Sequence, residues 1–230
     1  MINRLLIGAS LAATILFSGC ATRTPQAFEN DADRVKPADN PVYLMSATLR
    51  NEYKKNWQPH LLVVNIEKEG ASDSSGRFNF TMDPKAQLDE TDKEAGNKYL
   101  LRMQLPPGKY EIVGLTALNR SFPIVGTFFT PLHETLVVSG AGTVTYLGHV
   151  EAVVRERKGE EFKAGASIPL IDQAVIGASG GTWDVAIGDA WGTDEAVFRG
   201  RFVALKDAPV QKGVLAAWDR DAAQKWWAAH

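Results

Sequence analysis

The residues of this 230-residue chain with chemistry to offer are four histidines, one cysteine, six tryptophans and one Gly-x-Ser-x-Gly string. Gly177-Ala178-Ser179-Gly180-Gly181 has the spacing of a nucleophile elbow, where a tight strand-to-helix turn presents a serine to an acyl carbon. That chemistry needs a strand before Ser179, a helix after it, then an acid and a histidine in that order. Residues 182–187 instead read as another strand, and the histidine beyond Ser179 is the terminal His230. The string therefore reads as a glycine-rich β-turn. His60, His133, His149 and His230 lie far apart, without a His-Glu-x-x-His string, so they read as strand-face, loop and terminal residues. A lone cysteine allows neither an intrachain disulfide nor a cysteine-rich zinc site. No metal and no cofactor are expected.

Trp183, Trp191, Trp218, Trp226 and Trp227 crowd the last quarter of the chain. They could form an aromatic platform for a sugar, a peptidoglycan fragment or a partner protein. They could also fill the seam between a helical tail and the rest of the fold, and burial favours this second reading. Trp226 and Trp227 are neighbours, so on a helix they cannot face the same way, and one is expected at a rim. Trp191, Trp218, Trp226 and Trp227 are the candidate contact residues.

Lys and Arg number 25 and Asp and Glu 27, for a net charge of −2, which supplies little attraction for nucleic acid phosphates. A hydrophobic share of 45% is that of a globular chain, not a disordered one. The sole cysteine follows an N-terminal stretch whose one charge is Arg4 and whose apolar run, residues 5–17, is 13 residues long. Such a run is short for a membrane span and right for a signal-peptide core. Leu16-Phe17-Ser18-Gly19-Cys20 resembles the lipobox of bacterial lipoproteins. The resemblance implies cleavage before Cys20, acylation of its sulfur and its new amine, and removal of residues 1–19 as a signal peptide. Three acyl chains exceed what stable anchoring needs. Ala21, where an Asp tends to retain such proteins in the inner membrane, implies the outer membrane, facing the periplasm.

The remaining elements divide the chain. Residues 20–40 are polar, with Pro25 and Pro37, and read as the lipidated cysteine and a flexible tether. That tether would hold a domain roughly 25 Å from the membrane. Residues 41–190 read as a β-sandwich domain of short strands: 42–50, 60–68, 77–82, 99–105, 110–118, 122–129, 134–138 and 143–155. Pro106-Pro107-Gly108 is expected to turn a hairpin, and residues 168–176 and 182–187 another. Residues 191–230 form a C-terminal tail with helices expected over 193–203 and 214–229, packing on the sandwich. Many short strands without helices between them point to an antiparallel sandwich.

Leu105-Pro106-Pro107-Gly108-Lys109-Tyr110-Glu111-Ile112 resembles the hairpin of transthyretin-like and carboxypeptidase-regulatory-like modules. Thr143-Val144-Thr145-Tyr146-Leu147-Gly148-His149-Val150 is similar to a strand downstream of that hairpin in bacterial lipoproteins. The resemblance implies a mainly β, immunoglobulin-like or transthyretin-like β-sandwich on a lipid anchor, and brings no catalytic residues. The expected function is a non-enzymatic binding or accessory module for an envelope protein partner. The alternatives are a carbohydrate-binding protein or hydrolase using the Trp-rich tail, and a structural spacer between membrane and another layer.

Overall fold

The computed structural model describes residues 23–88, 95–119, 123–165 and 171–229. Its strands, in chain order, are β1 (Arg23–Thr24), β2 (Val42–Asn51), β3 (His60–Lys68), β4 (Arg77–Thr81), β5 (Asn97–Gln104), β6 (Gly108–Asn119), β7 (Gly126–Val138), β8 (Val144–Glu156), β9 (Gly181–Gly188) and β10 (Val210–Lys212). The α-helices are α1 (Ile171–Val175), α2 (Trp191–Arg201) and α3 (Arg220–Ala229). The chain is mainly β, as a sandwich with C-terminal helices should be. One sheet runs β1-β4-β3-β6-β7; the other runs β10-β8-β2-β5, with β9 also paired to β8.

The pairing is mixed, not purely antiparallel. β1 with β4, β2 with β8 and β10 with β8 are parallel. The β2–β8 pair lies at the centre of the second sheet and explains the composition of β2. Tyr43, Met45, Ala47 and Leu49 face the core between the sheets, while Val42 and Leu44 face a second apolar layer on the other side. That outer layer is Trp191, Phe198 and Phe202 of the tail, with Phe28 of the N-terminal segment. A strand buried on both faces reads as a continuous apolar run.

Two connections differ from expectation. Pro106-Pro107-Gly108 does not close a hairpin: β5 belongs to one sheet and β6 to the other, so the turn is an arch between sheets. Two prolines remove the backbone donors that a hairpin ladder would use. Tyr110, buried, donates its hydroxyl to Pro106 O at 2.8 Å and fixes the arch. Residues 171–175, expected within a strand, are helical, and Gly177 at φ +85° ends the turn in the left-handed region. The strand expected over 182–187 is present as β9.

The tail helices also shift. Residues 213–216 do not begin a helix. Gly213 N donates to Tyr146 O and Leu215 N to Leu147 O, continuing the β10 ladder along β8. The helix starts later because Asp219 Oδ1 caps it, accepting from the backbone N–H groups of Asp221 and Ala222. Arg220 then ties α3 to the β8–β9 pair through Glu161 at 2.9 Å and Asp184 at 2.8 Å. Ala223 is buried in the main core.

The N-terminal segment is the largest correction. In its described part, residues 23–40, the expected tether is folded onto the domain. Arg23 pairs opposite Asn79 and its Nε donates to Thr81 Oγ1 at 2.8 Å. Gln26 and Phe28 are buried. Gln26 Oε1 accepts from Arg102 N, and Ala27 N donates to Arg102 O, so this segment covers the outer side of β5. A polar composition with prolines suits edge cover as well as it suits a flexible chain, because covering an edge needs backbone groups more than apolar ones.

Candidate functional site

Two places gather polar side chains at the surface of this sandwich. The first is made by a bulge in β8. Leu44 pairs with Tyr146 but Ser46 pairs with His149, so one extra residue sits in β8. Gly148 supplies it at φ +107°, where an added Cβ would meet Gly188 O at 2.9 Å. The bulge turns His149 to the same face as Tyr146 and Ser46, instead of into the core.

On that face Ser46 Oγ lies 2.8 Å from His149 Nδ1 and donates a hydrogen bond to the Asp194 carboxylate. The Tyr146 hydroxyl donates to the same carboxylate oxygen at 2.5 Å. Asp194 comes from the first turn of α2, where a carboxylate also suits the helix dipole. The Trp191 ring packs 4.8 Å from that of Tyr146. Burial pulls the His149 imidazole below its usual value, against the pull of Asp194 and Glu151. Burial and Asp194 push the Tyr146 phenol well up.

This set has the residue types of a serine hydrolase in the wrong order. In that chemistry the imidazole stands between hydroxyl and acid and takes the hydroxyl proton. Here the hydroxyl stands between imidazole and acid. Its proton goes to Asp194, so its lone pair faces Nδ1, which assigns the proton of His149 to Nδ1. Ser46 is 4% exposed. The arrangement pins α2 to the sheet. Sequence reasoning missed Ser46, Tyr146 and Asp194; the available signal was glycine in Tyr-Leu-Gly-His, which breaks the strand's alternation.

The second place is an open cleft of about 720 Å³ between the edges of the two sheets. β7 is the last strand of its sheet and β10 the last of the other. One wall is the outer side of β7, with Thr135 and Val137; the other runs along Gln211 to Ala216, with Thr145 of β8 below it. Tyr43 lies in the floor, donating its hydroxyl to Val137 O at 3.5 Å, and burial raises its phenol. At one end β7 carries a bulge, with Pro131 opposite Gly114 and Glu134 opposite Ile112. His133 occupies it at φ +56°, an uncommon conformation for a residue with a side chain. Its Nδ1 lies 2.6 Å from Glu111 Oε1, its ring packs at a tilt 4.8 Å from that of Trp226, and its Nε2 is buried without a hydrogen-bond partner. Burial pushes the Glu134 carboxyl up, while the backbone N–H of Ala216 opposes the shift.

The four candidate tryptophans do not share one surface. Trp191 is 8% exposed and belongs to the outer apolar layer. Trp218 donates its indole N–H to Pro131 O at 2.8 Å and packs edge-on against Phe162. Trp227 packs on the main core, and Trp226 on Phe129 and His133. The two neighbours do face different ways, and both are half-buried. Ser179 sits after a helix and before a strand, the reverse of a nucleophile elbow, and its backbone N–H donates to Gln173 O. His60, His133 and His149 sit in β3, β7 and β8. Among the described residues no group of three or more His, Cys, Asp or Glu could hold a metal ion. Cys20 and His230 lie outside the described residues.

No family model, curated protein or solved structure matches this chain. Among the described residues, no helix is long and apolar enough to cross a membrane.

Proposed function

We propose that this chain is a lipid-anchored, non-enzymatic binding module of the bacterial cell envelope, held to the outer membrane through acylated Cys20 and facing the periplasm. Its binding site is the cleft between β7 and the 210–216 stretch, and its partner is an envelope protein that offers an extended segment. The observation that carries this reading is the cleft itself. It is walled by two sheet edges, and a strand edge recognises extended backbone by adding it to the sheet. Threonines 135, 143 and 145, Gln211 and the neighbouring Val137 and Val214 present both polar and apolar side chains to such a segment. The proton arrangement at Ser46 supports a binding role over hydrolysis, since a hydroxyl donating to Asp194 is not activated for attack. The transthyretin-like resemblance belongs to the same reading.

The test is a photo-crosslinking side chain placed at Val137 and at Gln211, on opposite walls, in the native membrane. Both positions should give the same adduct, and Val125, 50% exposed but outside the cleft, should give none. No adduct from either wall, or an equal one from Val125, would refute the site. The anchor is tested separately: incorporation of a palmitate analogue should disappear in Cys20→Ser.

A further inference from the structure

We infer that the domain sits directly against the bilayer, with the end of the first sheet formed by residues 69–76, 105–108 and 139–142 turned toward the lipid. The inference rests on the reading of Cys20 as the acylated residue and deepens it by stating which surface meets the membrane.

Chain length limits how far the domain can stand from the lipid. Arg23 is already part of the sheet, paired opposite Asn79 and bonded to Thr81, and Gln26 and Phe28 are buried just beyond it. Cys20 precedes Arg23 by three residues. Three residues span at most about 11 Å when fully extended. The acyl chains hold Cys20 at the lipid headgroups, so the start of β1 lies within about 11 Å of them. The 25 Å of slack expected from a flexible tether does not exist.

The pairing then says which end comes down. β1 runs parallel to β4, so the chain arrives from the side where β4 begins, at Arg77. Arg77 lies opposite Glu67, near the end of β3. Lys68 lies opposite Tyr110, near the start of β6, and Gly108 lies opposite Val138, the end of β7. One end of the sheet therefore collects the loop after β3, the arch before β6 and the turn after β7. A nine-residue strand such as β3 is about 30 Å long, nearly three times the leash, so the loop 52–59 at the opposite end stands far from the lipid. The lipid-facing end is electrically balanced. Lys68, Arg77 and Lys109 match Glu67, Glu69 and Asp73, with Arg77–Glu67 at 3.2 Å and Lys109–Glu69 at 2.9 Å. It therefore neither seeks nor avoids an anionic leaflet, and the leash decides the orientation.

The experiment uses the full-length, acylated protein purified from the envelope and reconstituted into phosphatidylethanolamine–phosphatidylglycerol vesicles that carry a headgroup nitroxide lipid. Acylated Cys20 has no free thiol, so a single new cysteine takes a fluorophore cleanly. Ser72→Cys and Ser139→Cys label the lipid-facing end at two exposed sites, and Asn56→Cys labels the far end. Nitroxide should quench the first two strongly and the third little, and a 20-residue Gly/Ser insert between residues 22 and 23 should relieve the quenching. If the acylated protein shows no quenching at either near-end label, or equal quenching at Asn56→Cys, or if the insert changes nothing, the inference is overturned. Palmitate-analogue labelling of the same preparation distinguishes the two layers: an unlabelled Cys20 removes the anchor reading and this inference with it.

Discussion

The guanidinium of Arg102 offers the most searching perturbation. Its side chain is fully buried, and it forms an ion pair with Asp83, whose side chain is 8% exposed. It donates to Ala27 O at 2.9 Å and Leu100 O at 3.0 Å, and lies 4.1 Å from the centre of the Phe202 ring. One side chain thus joins β5, the N-terminal segment, the loop after β4 and the end of α2. Burial pulls the guanidinium down and Asp83 opposes that pull; an arginine keeps its charge in a protein. Asp83→Ala leaves this charge buried beside two carbonyls and an aromatic face. Breaking a buried pair from one side costs about 3–5 kcal/mol, because the remaining charge is not compensated. The carbonyls and the ring offset part of that, which places the loss near 3 kcal/mol. For a domain of this size 1 kcal/mol moves Tm by about 2–4 °C, so the shift should be roughly 6–12 °C. Urea unfolding, followed by the combined tryptophan emission of the chain, measures the loss directly. Arg102→Met, and its combination with Asp83→Asn, complete the cycle: the double variant should lose less than the two single losses together. An Asp83→Ala protein within about 1 kcal/mol of the parent would refute the reasoning, since no buried cation could be left that cheaply.

Three further outcomes follow from the same physics. Asp194→Ala leaves the buried Tyr146 hydroxyl and Ser46 Oγ without their acceptor, and should cost about 1–3 kcal/mol in urea unfolding. The pH dependence carries a definite sign at His149. Burial lowers its folded pKa below the ordinary imidazole value of 6.5, so the unfolded chain binds the proton more readily. Stability should therefore fall as pH drops through 6.5 toward the lowered value, and His149→Gln should flatten that part of the melting curve against pH. Gly148→Ala forces a Cβ onto Gly188 O at a backbone angle that L residues avoid, and should destabilise by about 1–3 kcal/mol. Gly188→Ala, with open space at its Cβ, is its control.

The strands were legible because period-two alternation and Gly/Pro punctuation are local. Residues 77–82 alternate Phe78, Phe80 and Met82, and β4 lies there. The sites were much less legible. Ser46 and Asp194 are 148 residues apart, and nothing in either neighbourhood announces that a bulge at Gly148 will bring His149 beside them. The cleft between β7 and β10 depends on which strands end up at the edges, a property of the whole sheet order. The tryptophan cluster was visible as a count, but its distribution among the core, the outer layer and His133 depended on packing.

Composition, the single cysteine and strand periodicity by themselves determined the class of fold and excluded an intrachain disulfide. They could do so because each signal lies within a few consecutive residues. Tertiary structure alone decided that Pro106-Pro107-Gly108 arches between sheets, that β2 pairs in parallel with β8, and that residues 23–40 cover β5 and do not swing free. Those outcomes depend on which backbone edge needs a partner and which apolar face needs a cover. Such needs arise only when distant strands have met, and Arg102 reaching Ala27 from 75 residues away is one of them.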